Sequence, residues 1–136
     1  MYTITKRFEF EASHKLKLTY ESPCSNIHGH SYKVEITVCS NKLNEDGMVM
    51  DFSELNQLKD WVMENWDHAT IIQESMITDG MLKEFGKLFP FPLPNVTAEY
   101  MALYLHDIAK DMFDKSGDEI IITIYETTNN CASYSE

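Results

Sequence analysis

HGHSYKVEITV, residues 28–38, alternates polar and apolar side chains over most of its length. Because successive side chains of a strand point to opposite faces, this alternation predicts a β-strand with one buried face. The apolar positions all have even numbers: Tyr32, Val34, Ile36 and Val38. His28 and His30 share that parity, so the strand can present both imidazoles to one metal ion beside the core.

The first segment of the chain alternates in the same way. In residues 2–10 the even positions are mostly apolar and the odd positions are polar. The pattern continues to His14, which shares the parity of the apolar face. If the two strands pair with their apolar faces on one side, His14 comes close to His28 and His30. Three neutral nitrogen ligands without a fourth protein ligand form the open arrangement of a catalytic zinc site.

Cys24 lies four positions before His28 and has two interpretations. Three cysteines in a chain without an export signal favour free thiols over disulfides, so a special role for Cys24 is either catalytic or metal-binding. As a fourth ligand, Cys24 would close the site and make the zinc structural. The spacing leaves both interpretations open. We expect Cys39 and Cys131 to be structural thiols.

Length and charge limit the classes of protein that fit. The chain has 136 residues, 43% of them hydrophobic, which suits a single domain spanning residues 1–136. Its net charge is −11, from 22 acidic and 11 basic side chains, and this balance argues against a nucleic acid partner and favours a small molecule. We find no apolar segment of membrane-spanning length and no signal-peptide core, so we expect no membrane partner and a cytoplasmic protein.

Two amphipathic helices are predicted after the first two strands. Asp51-Phe52-Ser53-Glu54 resembles a capping box, and a helix should run from it to about Trp66. A second helix should begin near Asn95 or Thr97 and end at about Asp114. We expect His106, within that helix, to lie on the surface.

The remaining segments complete the predicted topology. Residues 70–94 carry three prolines near their end and predict a connector, with at most a short helix within 80–89. Strands are predicted at Glu119–Tyr125 and, more weakly, at Cys131–Tyr134. The order ββααββ predicts an α+β domain with a four-stranded antiparallel sheet and two helices on one face. Because such a sheet has two open edges, we expect self-association.

Six short segments together carry a resemblance to a known family. In chain order they are FEASH (10–14), CSNIHGH (24–30), GMVMDF (47–52), DH (67–68), TAE (97–99) and YET (125–127). Each is weak alone, but Cys-x-x-x-His-Gly-His with an upstream histidine and a downstream Asp-His is a specific combination. Together they resemble the 6-pyruvoyltetrahydropterin synthase and 6-carboxytetrahydropterin synthase family of tunnelling-fold (T-fold) enzymes. The T-fold is also ββααββ.

The resemblance implies a role for each matching residue. The zinc ligands of the family match His14, His28 and His30. Its catalytic residues match Cys24, Asp67 and His68. Its substrate-binding positions match Glu126, the pterin anchor, and Thr97 and Glu99. One departure is Tyr100, where the family often has asparagine.

The resemblance also implies a reaction. The substrate would be 7,8-dihydroneopterin triphosphate, with its side-chain hydroxyls on zinc and its pterin ring in a pocket. Cys24 would take a proton from a side-chain carbon, and His68, oriented by Asp67, would relay protons on the other side. Triphosphate would then leave by elimination. The resemblance further implies trimers stacked as hexamers, with active sites between subunits.

Two products and one non-catalytic role remain open. We expect the 6-carboxytetrahydropterin synthase reaction, which also releases acetaldehyde on the route to queuosine and other 7-deazapurines. The alternative is the 6-pyruvoyl enzyme, which keeps the three-carbon side chain. A second alternative is a zinc- or pterin-binding module that carries out no reaction.

Three of the matched sites also have simpler interpretations. Asp67-His68 would suit the end of a helix, where a histidine interacts with the negative helix terminus. Glu99 would suit a first helical turn, where acids are favoured. Glu126 shares the parity of the apolar face of its strand, which suggests an acid that a ligand satisfies, but it would also suit a solvated strand end.

Overall fold

A long β-hairpin lies at the centre of the fold. The computed structural model describes residues 1–113 and 117–136 of the chain. Strand β1 (Tyr2–His14) pairs antiparallel with β2 (His28–Ser40), and the register sets His14 directly opposite His28. Because paired residues direct their side chains to the same face, the two predicted apolar faces meet on one side of the sheet.

The described sheet has six strands, so the prediction of four is wrong. Strands β5 (Glu119–Tyr125) and β6 (Cys131–Tyr134) form the predicted C-terminal hairpin. Two further strands, β3 (Ala69–Gln73) and β4 (Leu88–Phe91), occupy parts of the stretch predicted to be a connector, with β3 beginning one residue before it. The spatial order of the strands is β4-β3-β1-β2-β5-β6.

The two additional strands make the sheet mixed rather than purely antiparallel. β3 pairs parallel with β1, and β4 pairs parallel with β3. Their sequence signal is weak because Ile71 and Ile72 are both fully buried, so β3 lacks the polar-apolar alternation of the hairpin. Pro90 argued against a strand, but β4 is an edge strand, where a residue without a backbone N–H is tolerated.

The first predicted helix is confirmed, with a tighter first turn. Asp51 accepts a hydrogen bond from Ser53 N at 2.8 Å and caps a 3₁₀ turn that leads directly into α1 (Asn56–Asn65). A short helix, α2 (Asp79–Glu84), follows in the region where one was expected. Short 3₁₀ turns occur at Pro23–Ser25, Phe52–Leu55 and Glu74–Met76.

The second long helix, α3 (Ala98–Phe113), begins where the sequence predicts. Thr97 precedes it, and its hydroxyl accepts a hydrogen bond from Tyr100 N at 3.2 Å, which satisfies one of the free donors of the first turn. The predicted end at about Asp114 lies outside the described residues. Within those residues, no helix is long and apolar enough to span a membrane.

The hydrophobic core lies between α1, α3 and one face of the sheet. Four apolar side chains before, along and just after α1 are fully buried: Leu55, Leu58, Val62 and Trp66. These side chains form one cluster with Met101 and Leu105 of α3 and with the buried apolar residues at even-numbered positions of the hairpin. Each large side chain removed from water contributes about 1.5–3 kcal/mol. The core therefore fixes which face of the hairpin points inward.

His106 does not lie on the surface as predicted. Its side chain in α3 is only 3% exposed because its ring packs edge-on against Tyr134 of β6, with the ring centroids 4.9 Å apart. His106 lies four residues after Ala102 and three before Ala109, which are both buried, so its position on α3 is an inward one.

Candidate metal centre and catalytic residues

Three imidazoles converge at the loop end of the central hairpin. The ring centroids of His14 and His28 are 4.6 Å apart, and that of His30 lies 5.1 Å from His14 and 4.9 Å from His28. This grouping follows from parity and register, because residues opposite each other on paired strands have side chains in contact. The predicted histidine cluster is therefore present within a single chain.

Backbone carbonyls orient two of the three rings. His14 Nδ1 donates to Val96 O at 2.8 Å, and His28 Nδ1 donates to Asn26 O at 2.7 Å. Since a carbonyl oxygen can only accept, each neutral ring carries its hydrogen on Nδ1 and keeps a lone pair on Nε2. Metal-binding histidines commonly have such a partner for their second ring nitrogen.

Burial keeps two of the histidines neutral. His14 is fully buried, and burial is the main reason that its pKa falls to about 4; His28 and His30 lower it further, while the bond to Val96 opposes the shift. Burial also lowers the pKa of His30, against the opposing effect of the Glu126 carboxylate. Because metal ions bind neutral imidazole, both rings are in the ligand form at neutral pH.

The arrangement of lone pairs fits a tetrahedral metal ion such as zinc. The Nε2 atoms of His14 and His28 are 3.1 Å apart, and two lone pairs at that distance repel each other unless a cation binds both. Two ligands of a tetrahedral zinc lie about 3.3 Å apart, given Zn–N bonds of about 2.0–2.1 Å. His30 Nε2 is buried without a hydrogen-bond partner, as expected for an atom that binds a metal instead.

A carboxylate joins this group of nitrogens. Glu126, the residue after β5, places Oε1 3.1 Å from His30 Nε2. One oxygen of Glu126 and one nitrogen of each of the three histidines all lie within 4.8 Å of one another. The sequence predicts Glu126 as a pterin anchor and not as a neighbour of the metal ligands. The residues present therefore fit a metal with three nitrogen ligands and one oxygen ligand.

Cys24 lies in the loop that connects β1 to β2, within the 3₁₀ turn Pro23–Ser25. Its backbone is held from both sides, since Cys24 N donates to Ser22 Oγ at 3.2 Å and Leu16 N donates to Cys24 O at 3.1 Å. Its thiol is half-buried and free. Among the described residues, the ligand atoms that lie within 4.8 Å of one another do not include Cys24. This geometry favours the catalytic interpretation of Cys24 over a closed structural site, and its role stays a prediction.

Asp67 and His68 form a hydrogen-bonded pair after α1. His68 Nδ1 donates to Asp67 Oδ2 at 2.9 Å, while Asp67 Oδ1 accepts from Glu11 N at 2.9 Å. His68 has a φ of 57°, in the left-handed region that residues other than glycine rarely adopt. Its backbone N–H donates to Glu11 O at 2.6 Å. Two backbone contacts with Glu11 of β1 thus hold the strained residue in place.

Asp67 favours its ionised form and sets the tautomer of neutral His68. Burial alone would raise the pKa of Asp67, but its hydrogen bonds from Glu11 and His68, and the charges of His68 and Lys87, hold that pKa below its usual value. Lys87 Nζ also donates to Asp67 O at 2.6 Å. The ionised carboxylate accepts the hydrogen bond from His68 Nδ1. Because the His68 side chain is 77% exposed, its Nε2 is free to exchange protons with a ligand.

His30 and His68 line the same cleft of about 440 Å³. The cleft runs over the ends of β1 and β2, with Glu11 and Ser31 also in its wall, and Ser31 Oγ donates to Glu11 Oε2 at 2.6 Å. No hydrogen bond or ion pair among the described residues joins Cys24 to either member of the Asp67–His68 pair. The three histidines and Glu126 thus form one group, and His68 of the catalytic pair faces the cleft that His30 also lines.

Thr97 and Glu99 lie at the start of α3, as predicted. Thr97 is the helix cap, and Glu99 is an exposed acid in the first turn, which suits the positive end of the helix. Val96, the residue before Thr97, accepts a hydrogen bond from His14 Nδ1 through its backbone carbonyl. The start of α3 therefore adjoins the metal centre, and a substrate-binding role for Thr97 and Glu99 stays a prediction.

The sequence did not reveal the residues that support this centre. Val96 and Asn26 act through carbonyl oxygens, which every residue has, and Glu11 acts on the catalytic pair through its backbone. Lys87 reaches Asp67 only because β4 lies beside β3 in the folded sheet. One indication of this arrangement was present in the sequence: Glu126 has the same parity as the apolar residues of β5, which places its side chain on the inward face.

Comparisons with known proteins give matches over nearly the whole chain. The family model described as 6-pyruvoyl tetrahydropterin synthase matches residues 3–136. The 6-carboxy-5,6,7,8-tetrahydropterin synthase of Aquifex aeolicus is 33% identical, with 99% of this chain and 98% of that protein covered. The protein of the same name from Rickettsia bellii is 34% identical, with 95% of this chain and 96% of that protein covered.

Solved structures show the same fold at lower identity. The crystal structure of 6-pyruvoyl tetrahydropterin synthase from Plasmodium vivax has a TM-score of 0.78 at 17% identity, covering 100% of this chain and 99% of that chain. The structure of the Caenorhabditis elegans protein of that name has a TM-score of 0.69 at 21% identity, covering 99% of this chain and 95% of that chain.

The fold and the site define an α+β protein of the T-fold type with a histidine-rich centre that is suited to bind a metal. The match over nearly the whole chain then identifies the family. This chain belongs to the 6-pyruvoyl tetrahydropterin synthase family.

Proposed function

We propose that this protein is a zinc-dependent 6-carboxytetrahydropterin synthase. It converts 7,8-dihydroneopterin triphosphate and one water into 6-carboxy-5,6,7,8-tetrahydropterin, acetaldehyde and triphosphate, a step towards queuosine and other 7-deazapurines. The observation that carries the proposal is the convergence of His14, His28 and His30, with two Nε2 lone pairs 3.1 Å apart. The name shared by the relatives from Aquifex aeolicus and Rickettsia bellii supports the choice of product.

The histidines would hold the metal, and other residues would move protons. A bound zinc would polarise the side-chain oxygens of the substrate as a Lewis acid. Cys24, as a thiolate, would take a proton from a side-chain carbon. His68 would exchange protons through Nε2, because its Nδ1 donates a hydrogen bond to Asp67 Oδ2, with the two atoms 2.9 Å apart. These two groups can hold different protonation states, which a reaction with several proton transfers needs.

The pterin ring would be recognised by carboxylates and helix-start residues. The edge of a pterin presents a ring N–H beside an exocyclic amine, and one carboxylate can accept both hydrogens. Glu126 suits this role because its side chain is 26% exposed at the end of an apolar strand face. Thr97 and Glu99 would contact the same ring from the start of α3.

A complete site would need a second copy of the chain. β4 and β6 are the two edge strands of the described sheet, and open edges favour pairing with another chain. Within one chain no hydrogen bond or ion pair links Cys24 to the Asp67–His68 pair among the described residues. We therefore propose trimers or hexamers with active sites between subunits, acting in the cytoplasm and without a nucleic acid partner.

Product analysis tests the proposed function. The zinc-loaded protein is incubated with 7,8-dihydroneopterin triphosphate, and acetaldehyde is assayed together with the pterin product. Acetaldehyde in equal amount to 6-carboxytetrahydropterin is the expected result. A three-carbon pyruvoyl product would instead indicate the reaction for which the family model is named. Absence of turnover with zinc bound would indicate a binding module.

A further inference from the structure

The side chain of Glu126 points at the metal centre rather than along the surface. Its backbone is fixed, because Glu126 N donates to Asn130 O at 3.1 Å and closes the turn between β5 and β6. The side chain continues the inward parity of Ile122 and Ile124, which are both fully buried. The carboxylate is thus held at the rim of the core, on the same side of the sheet as the three histidines.

The distances around this carboxylate match those between ligands of one metal. Oε1 lies 3.1 Å from His30 Nε2, but the pair lacks hydrogen-bond geometry, and the nitrogen is buried. Two ligands of a tetrahedral zinc lie about 3.3 Å apart. Among the described residues, His30 alone brings a basic side-chain nitrogen within 4.0 Å of Glu126. Since no lysine or arginine neutralises this partly buried carboxylate there, a metal cation is the group that suits it.

We infer that Glu126 is the fourth protein ligand of the metal before substrate binds, and that it leaves the metal when the pterin ring arrives. This inference rests on the proposed function for the identity of the ring. In the exchange, the bond between Glu126 and the metal breaks, and the carboxylate accepts the two hydrogens of the pterin edge. No proton or electron is transferred. The coordination position therefore opens only when a pterin is present, which couples substrate recognition to the metal.

The first test compares metal binding by two variants that change the same functional group. Glu126→Gln removes the anionic ligand with little change of shape, and Glu119→Gln makes the same substitution at the exposed start of β5. Zinc affinity is measured by competition with a chromophoric chelator. We expect Glu126→Gln to bind zinc about 10- to 100-fold more weakly than the unmodified protein. Glu119→Gln should bind zinc as the unmodified protein does.

The second test observes the ligand exchange directly, with Co²⁺ in place of zinc. The visible absorption of Co²⁺ reports its coordination geometry, and unsubstituted pterin serves as the probe because it has the ring edge but no side-chain hydroxyls. We expect saturating pterin to change the cobalt spectrum of the unmodified protein. In Glu126→Gln, the spectrum should differ from the start and should not respond to pterin. Quenching of pterin fluorescence measures binding independently.

Two results would overturn the inference. One is an unchanged zinc affinity and cobalt spectrum in folded Glu126→Gln; if that variant also loses turnover, Glu126 is a pterin anchor only, and the proposed function stands. The other is saturable pterin binding by the unmodified protein with no change in its cobalt spectrum. This titration needs no variant, so it decides the exchange even if Glu126→Gln fails to fold. Lack of turnover by the unmodified protein would contradict the proposed function alone.

Discussion

His14 Nε2 and His28 Nε2 lie 3.1 Å apart, although the two residues are 14 positions apart in the chain. Each ring donates a hydrogen bond from Nδ1 to a backbone carbonyl, so both Nε2 atoms direct their lone pairs towards the same point. Such a pair is stable when a cation binds both nitrogens. This arrangement suits the binding of one metal ion by both rings, and it leads to the first prediction.

Replacing one of these rings should remove the metal without unfolding the chain. His28→Ala deletes a ligand at the half-buried end of β2, and we expect zinc affinity to fall by more than about 100-fold. His68→Ala is the matched control, because His68 is exposed and lies outside the ligand group. Metal content after dialysis, with circular dichroism to monitor folding, decides the question. Equal zinc content in the two variants would contradict the assignment.

Replacing the loop cysteine should separate chemistry from metal binding. We expect Cys24→Ala to lower the rate of acetaldehyde release by about 100- to 10,000-fold, the usual contribution of a general acid or base. Its zinc content should stay the same, since the ligand group of the described residues does not include Cys24. Cys131→Ala, which alters an exposed free thiol, should retain full turnover. Loss of zinc together with turnover in Cys24→Ala would instead make this residue a ligand.

The stability provided by Asp67 should depend on pH in a defined direction. Its folded-state pKa is lowered, so its contribution is complete above the unfolded-state value of about 4 and is lost as pH falls through the folded-state value. We expect Asp67→Asn to lower the free energy of unfolding by about 1 kcal/mol at pH 7, and by less at pH 3. Urea unfolding at both pH values measures the difference. Asp60→Asn, at an exposed position of α1, controls for the general effect of charge. A difference that grows as the pH falls would contradict the assignment.

The open edges of the sheet predict a defined oligomer. Light scattering should give a mass about three or six times the 15.8 kDa of one chain, because trimers or stacked trimers would pair β4 and β6 between copies. Mixing two inactive variants tests the shared site more sharply. Cys24→Ala and His68→Ala, each inactive alone, should recover part of the turnover when they assemble together. A monomer with full turnover would exclude sites between subunits.

Local alternation was enough to predict the framework of the metal site. The strand parity of His14, His28 and His30 depends only on the period of two in a strand, and the predicted hairpin is present. The helix that begins after Asp51 and the one that begins after Thr97 were likewise predictable, because their caps and apolar spacing are local signals. Family resemblance added roles for single residues, which spacing could not provide.

Other features depended on contacts between distant segments. β3 escaped prediction because Ile71 and Ile72 are both buried and break the alternation, and β4 escaped it because an edge strand tolerates Pro90. His106 was wrongly predicted to be exposed: its spacing from Ala102 and Ala109 places it on the buried face of α3, where Tyr134 of β6 packs against it. The carbonyls of Val96 and Asn26, which set the tautomers of two histidines, carry no sequence signal at all.

The sequence by itself determined which side chains share a face, because parity along a strand and spacing along a helix are set by backbone geometry. Only the tertiary structure decided which faces meet and at what distance. It brought Glu126 of the β5–β6 turn within 3.1 Å of His30, and it held Asp67 and His68 against Glu11 of β1. The physical reason is that register between strands and the packing of distant segments depend on the whole core, while periodicity depends only on neighbours in the chain.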